Sequence, residues 1–224
     1  MPIKAVLFDL DDTLYDREAL VRRVISDQYD AFEPELRSVD KDEFVTRVIH
    51  LDDHGYADKR ALYATVGAEW SLAPDLIERL AQDFWNSYDE KCELSQDTRI
   101  TLQTLRESGM KIGVITNGGT ERQQRKLESL GISSWFDVIL ISEAEGVKKP
   151  DAEIFHRAVG RCGVQARDAI FVGDHPQTDI GGALQAGLRA VWKVTPYWPC
   201  AYDVPAIRQL SEILPMCHGG SPPA

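Results

Sequence analysis

Residues 5–13, Ala-Val-Leu-Phe-Asp-Leu-Asp-Asp-Thr, constrain the chain more than any other stretch. Four apolar residues run unbroken from Ala5 to Phe8 and stop at an acid, with a second acid two places on. A short apolar run bounded in this way reads as a strand buried on both faces, the kind a parallel sheet contains. Side chains at i and i+2 of a strand share a face, so Asp9 and Asp11 start side by side, with Cα atoms about 6.5 Å apart. Two carboxylates at the end of a buried strand are costly to hold there unless a cation or a reaction uses them.

The rest of the chain says what could surround such a strand. At 224 residues it fits one large domain or a domain with an insertion. Residues 16–31, 40–53, 57–70 and 74–91 are charged and helical in period, with no good strand among them. Leu20, Val24 and Ile25 recur at helix spacing, and Leu76, Leu80, Phe84 and Tyr88 form a stripe. Pro74 and Asp75 suit a helix start. This stretch, 16–94, is expected to be an all-helical lobe with hinges near 15 and 95. From residue 97 the pattern becomes helix and strand in alternation: helix 98–108, strand Lys111–Thr116, helix 120–130, strand Asp137–Ser142, helix 152–162, strand Ala169–Val172, helix 178–186, strand Arg189–Val194. Gly109, Gly131, Gly163 and Gly187 follow the helices, as C-terminal caps do. The expected fold class is α/β, a Rossmann-like parallel sheet with helices on both faces, formed by 1–15 and 95–216. Residues 204–214 read as a last helix and 217–224 as a disordered tail.

In open sheets of this class ligands sit beyond the carboxyl ends of the strands. Those ends deliver Asp9, Asp11 and Thr13; then Thr116-Asn117-Gly118-Gly119; then Lys148-Lys149-Pro150; then Gly173-Asp174 with Asp179 five residues on. Three acids near one point call for a hard divalent cation such as Mg²⁺. A hydroxyl and backbone N–H groups around Asn117 and Gly118 can cradle phosphate oxygens, and a lysine offsets their charge. One cation about 4 Å from a phosphate is worth on the order of 4 kcal/mol at an effective dielectric near 20, so a metal and a lysine together can overcome the repulsion between carboxylate and phosphate.

In these residues the chain resembles the haloacid dehalogenase superfamily, over 4–16 and 97–195. Its Asp-x-Asp-x-Thr motif is matched by Asp9, Asp11 and Thr13, its strand-end Thr by Thr116, its Lys by Lys149, and its acidic motif by Gly173, Asp174 and Asp179. The helical insert is similar to the family's α-helical cap. Ile-Thr-Asn-Gly, then Gln-Gln-x-x-Leu-Glu and Gly-Val-x-Lys-Pro, is similar to the branch of nucleotide 5′-phosphatases and sugar-phosphate phosphatases. The resemblance implies a Mg²⁺-dependent phosphomonoesterase. Asp9 would be the nucleophile, forming an aspartyl-phosphate, and Asp11 the general acid and then base. Asp9, the Asp11 carbonyl and Asp174 would hold the metal, with Asp179 behind them. Thr116, Asn117 and Lys149 would bind the phosphoryl oxygens.

The implied substrate is a small phosphorylated metabolite: a nucleotide 5′-monophosphate, a sugar phosphate or flavin mononucleotide. A phosphomutase, a metal-independent 2-haloacid dehalogenase and a phospho-accepting signalling module are the alternatives. A departing halide needs no proton, so Asp11 favours the phosphatase. Lys148 is the other candidate for the phosphate lysine; adjacency to Pro150 favours Lys149. His175 is expected as a half-buried residue turning a loop, His50 and His54 as solvated, and Trp70, Trp85 and Tyr88 as packing in the cap. A formal charge of −11 argues against a nucleic-acid partner, which needs clustered Lys and Arg. No apolar run reaches the roughly 20 residues of a membrane span, and no leader pattern precedes the first strand. Cys92, Cys162, Cys200 and Cys217 are scattered, as reduced thiols in a cytoplasmic protein would be, and a monomer or homodimer is expected.

Overall fold

A computed structural model describes residues 2–88 and 91–217. The described residues form two compact units, 17–92 and the combination of 1–16 with 93–224.

The larger unit is built on a six-stranded parallel sheet. Its strands are β1 (Ala5–Phe8), β2 (Lys111–Thr116), β3 (Val138–Ile141), β4 (Ala169–Gly173), β5 (Arg189–Lys193) and β6 (Ala206–Ile207), in the order β3-β2-β1-β4-β5-β6. Every residue of β1 is buried, because the strand pairs with β2 on one side and β4 on the other. Phe8 lies opposite both Val114 and Val172, which fixes where the two neighbouring strands end relative to Asp9. On one face Leu7, Ile115 and Phe171 pack with Phe155 of the helix Ala152–Cys162. The chain grows outward from β1 to β3, then crosses back to β4, so the order reverses beside β1. In sheets of this kind ligands bind beyond the carboxyl ends of the strands beside such a reversal, here β1 and β4.

Two C-terminal expectations are corrected. Residues 204–214 are not a helix: Ala206–Ile207 add a strand, followed by a 3₁₀ turn at Leu210–Ile213 and a short helix Leu214–Cys217. The edge of β5 has backbone groups to satisfy, and Trp192 N–H donates to the Pro205 carbonyl (2.9 Å) while Val194 N–H donates to that of Ile207 (2.9 Å). Cys217 is buried rather than part of a loose tail, and 218–224 lie outside the described residues. The segment expected as helix 178–186 is a π-helical turn, Pro176–Gly181, running into the α-helix Gly182–Gln185.

The smaller unit contains helices Arg17–Ala31, Lys41–Asp52, Lys59–Trp70 and Pro74–Tyr88. Leu20, Val24, Phe44, Leu62, Leu80 and Phe84 form its interior. An ionic triad is buried among them: Asp52 pairs with Arg17 (2.7 Å) and Lys59 (2.6 Å), and the Lys59 ammonium also lies 5.6 Å from the Phe84 ring centre. Tyr88 stacks on Phe84 and is buried; Trp70 packs against Phe44, and Trp85 against Phe84. His50 and His54 are exposed. No helix among the described residues is long and apolar enough to cross a membrane.

Candidate active site

Asp9 is the first residue beyond β1, and its N–H donates to the Val172 carbonyl (2.9 Å), extending the pairing with β4 by one step. The chain then turns sharply. Asp12 takes a left-handed conformation (φ 58°), and Leu14 N–H returns to the Leu10 carbonyl (3.0 Å). Asp9 is left at the carboxyl end of β1 at 7% exposure.

Lys149 reaches Asp9 from the segment after β3. Its ammonium lies 2.5 Å from Asp9 Oδ1 and 2.6 Å from Asp179 Oδ1, at 3% exposure, while Lys148 is exposed. The backbone of Lys149 is held from β2: Asn117 Nδ2 donates to its carbonyl (3.0 Å), and its N–H donates to Asn117 Oδ1 (2.9 Å). The side chain of Asn117 is thus engaged in placing Lys149. Thr116 Oγ1 accepts a hydrogen bond from Gln123 Nε2 (2.5 Å), which leaves its own O–H able to donate. The Gly118 N–H, expected to be open to a ligand, donates instead to Ser142 Oγ (3.0 Å), because β2–β3 pairing brings the start of the next short helix alongside.

The end of β4 supplies Asp174 and Asp179. A Cβ on Gly173 would fall 2.5 Å from the Asp179 side chain, so only glycine lets that carboxylate come so close to β4. Asp179 Oδ2 accepts from the His175 N–H (3.0 Å). His175 turns the loop: its Nδ1 accepts from Gln177 and Thr178 N–H groups, 3.2 Å each, and starts the π-helical turn. Carboxylate oxygens of Asp9, Asp174 and Asp179 lie within 4.8 Å of one another.

Three buried carboxylates share one ammonium, and their proton affinities show the imbalance. Burial pushes Asp9 up to about 7 against the pull of Lys149, with Asp179 adding to the push. Burial likewise raises Asp174 to about 9, reinforced by Asp179 and Asp9. Burial works against the charge on Lys149, yet Asp179 and Asp9 outweigh it and hold the ammonium above its ordinary value. Asp9 Oδ2 and both oxygens of Asp174 accept no hydrogen bond from any described residue. Oxygen donors with excess negative charge and open lone pairs fit a hard divalent cation such as Mg²⁺.

Asp11 stands apart from that cluster. Lys126 Nζ lies 2.8 Å from its Oδ1 and 3.1 Å from its Oδ2, Gln123 Nε2 donates to Oδ2 (3.2 Å), and the Tyr15 hydroxyl donates to Oδ1. Thr13 Oγ1 is buried with no hydrogen-bond partner. Gln123 and Lys126 were not among the candidates from sequence. They sit one turn apart on helix Thr120–Ser129, and with Leu127 they are its buried positions. A glutamine and a lysine in register with a core leucine were the available signal.

A family model described as haloacid dehalogenase-like hydrolase matches residues 6–193. The chain is 34% identical over 195 residues to a glyceraldehyde 3-phosphate phosphatase of Methanopyrus kandleri, covering 84% of this chain and 83% of the relative. It is 34% identical over 203 residues to a ribulose-1,5-bisphosphate 5-phosphatase of Halopiger xanaduensis, with the same coverage of 84% and 83%. A solved 2-haloacid dehalogenase from Pseudomonas syringae pv. Tomato DC3000 is 30% identical, with a TM-score of 0.60 over 96% of this chain and 97% of its own.

Proposed function

The chain belongs to the haloacid dehalogenase-like hydrolase family, and from that membership we propose that it is a Mg²⁺-dependent phosphomonoesterase acting on a small phosphorylated sugar or triose. The relatives named for glyceraldehyde 3-phosphate and ribulose-1,5-bisphosphate support that substrate class. The observation that carries the reaction is the pairing of two carboxylates with two different partners: Asp9 among Lys149, Asp174 and Asp179, and Asp11 under Lys126, Gln123 and Tyr15.

Asp9 attacks the phosphorus through Oδ2; the Asp9 O–P bond forms as the P–O ester bond breaks. Asp11 gives its proton to the leaving alkoxide and then, ionised, takes one from the water that splits the aspartyl-phosphate. Inorganic phosphate leaves and Asp9 is restored. Lys149 and Thr116 bind phosphoryl oxygens, and Asn117 keeps the Lys149 backbone in place. Mg²⁺, held by Asp9, Asp174 and the Asp11 carbonyl with Asp179 behind them, would offset the repulsion between a phosphate dianion and Asp9. The dehalogenase reading fits less well, since displacing a halide gives Asp11 and the donors around it nothing to do.

The test is Asp9→Asn assayed with nitrophenyl phosphate and a panel of sugar phosphates in Mg²⁺, with acid-quench trapping of phosphorylated protein. We expect no turnover and no trapped phosphoprotein. Substantial activity in that variant would remove Asp9 as nucleophile.

A further inference from the structure

We propose that Lys126 is a positioning residue that aims the Asp11 carboxyl group at the leaving-group oxygen, with Gln123 and Tyr15 sharing the hold. This rests on the reading of Asp11 as the proton carrier.

The backbone alone does not aim that side chain. Asp11 lies on the turn where Asp12 reverses the chain, at the rim of the site rather than in a strand. Its direction comes from helix Thr120–Ser129, whose Lys126 ammonium spans both carboxylate oxygens at 2.8 and 3.1 Å. The Lys126 side chain is only 7% exposed, on a helix where most positions face solvent. Burying an ammonium and freezing a long side chain is a poor way to gain stability; an apolar side chain would serve the packing as well. The other lysine at this sheet edge, Lys149, is spent on Asp9 and Asp179. Each carboxylate of the first motif therefore has a lysine of its own. Gln123 ties the assembly to β2, since the amide nitrogen that meets Asp11 also lies 2.5 Å from Thr116 Oγ1 and 3.1 Å from the Asn117 carbonyl.

Aiming matters only where a proton must be delivered. A nitrophenolate leaves without help, whereas a phenolate of the same shape needs the proton that Asp11 supplies. Losing the aim should therefore cost phenyl phosphate more than nitrophenyl phosphate. A lysine that merely supported the fold would cost both alike.

The experiment compares kcat/KM for nitrophenyl and phenyl phosphate in wild type, Asp11→Asn, Lys126→Met and Tyr15→Phe. General acid catalysis contributes about 10²–10⁴-fold, so Asp11→Asn should raise the nitrophenyl-to-phenyl ratio steeply, and Lys126→Met should raise it by about tenfold. Tyr15→Phe deletes one hydroxyl and keeps the ring, so it should shift the ratio in the same direction by less. If Lys126→Met does not fold, Tyr15→Phe carries the test, and an unchanged ratio there overturns the proposal. A raised ratio in Asp11→Asn with none in Lys126→Met overturns the positioning role alone. No rise even in Asp11→Asn defeats the proton-carrier reading and the proposal with it. Faster phenyl phosphate turnover in Lys126→Met would show restraint rather than aim, and would also overturn it.

Discussion

Asn117 and Lys149 exchange two hydrogen bonds across 32 positions of chain, the amide of one clasping both backbone groups of the other. The lysine that meets Asp9 is therefore positioned by a side chain from a neighbouring strand end. Asn117→Ala should leave the fold intact at a cost of about 1–3 kcal/mol, because two backbone groups lose a partner. It should lower kcat far more than it raises the KM for nitrophenyl phosphate. Equal activity in the variant would show that Lys149 holds its place unaided.

Gly173 makes a second prediction, from space alone. Gly173→Ala forces a methyl group into the Asp179 side chain, and overpacking of that kind costs about 1–3 kcal/mol. Asp179 is held by Lys149 and the His175 N–H, so the displacement passes to both. Titration with Mg²⁺ should show a higher half-saturating concentration, while circular dichroism stays native. A variant with unchanged Mg²⁺ dependence would mean that Asp179 has no part in the metal site.

The raised carboxyls predict how stability varies with pH. Free aspartates titrate near pH 4, whereas Asp9 is raised to about 7 and Asp174 to about 9. Between these values the folded chain holds more protons than the unfolded one, so this contribution to stability is complete below about pH 4 and is lost as pH rises through 7 and 9. In chelator, the protein should melt higher at pH 6 than at pH 8.5, and Mg²⁺ should raise Tm more at the higher pH. Asp174→Asn should blunt both effects. A metal-free Tm that rises with pH in wild type and variant alike would contradict the account.

The helical unit offers an ordered pair of variants. Burial raises the Asp52 carboxyl, but Arg17 and Lys59 outweigh it and hold it below its ordinary value. Its stabilising contribution is present above about pH 4 and fades as pH falls through the depressed value. Asp52→Asn leaves two buried cations uncompensated and should cost about 3–5 kcal/mol, whereas Lys59→Met leaves one matched pair and should cost less. Urea melts of the two variants decide it, and the reverse order would show that Lys59 carries the triad.

Much of the site was legible because strand ends are periodic landmarks. Asp9, Thr116 and Asp174 each sit where an apolar run stops or just beyond, and the sheet turns those stops into one edge; Lys149, well past the end of β3, was marked by Pro150. Lys126 was hidden for a different reason. Which face of helix Thr120–Ser129 meets Asp11 depends on how the helix is rotated over the sheet; Leu127 marks its buried side, but a run of Glu, Arg, Gln and Lys supplies no second apolar landmark to fix the rotation. β6 was equally opaque: two residues form a strand only because β5 offers them an edge, while Pro205 and the local pattern carry no such signal. The π-helical turn escaped notice because Pro176 and a capping histidine mimic an ordinary helix start.

The pairing of β1 with β4 joins residues far apart in the sequence, Ala5 with Ala169 and Phe8 with Val172. On the ribosome, β1 waits about 160 residues for the neighbour that pairs along its second edge. Asp174 and Asp179 follow later still, so a chain cut short before β4 carries Asp9 without the acids that would share a cation with it. The three-acid cluster is therefore complete only once β4 and the turn after it have been made.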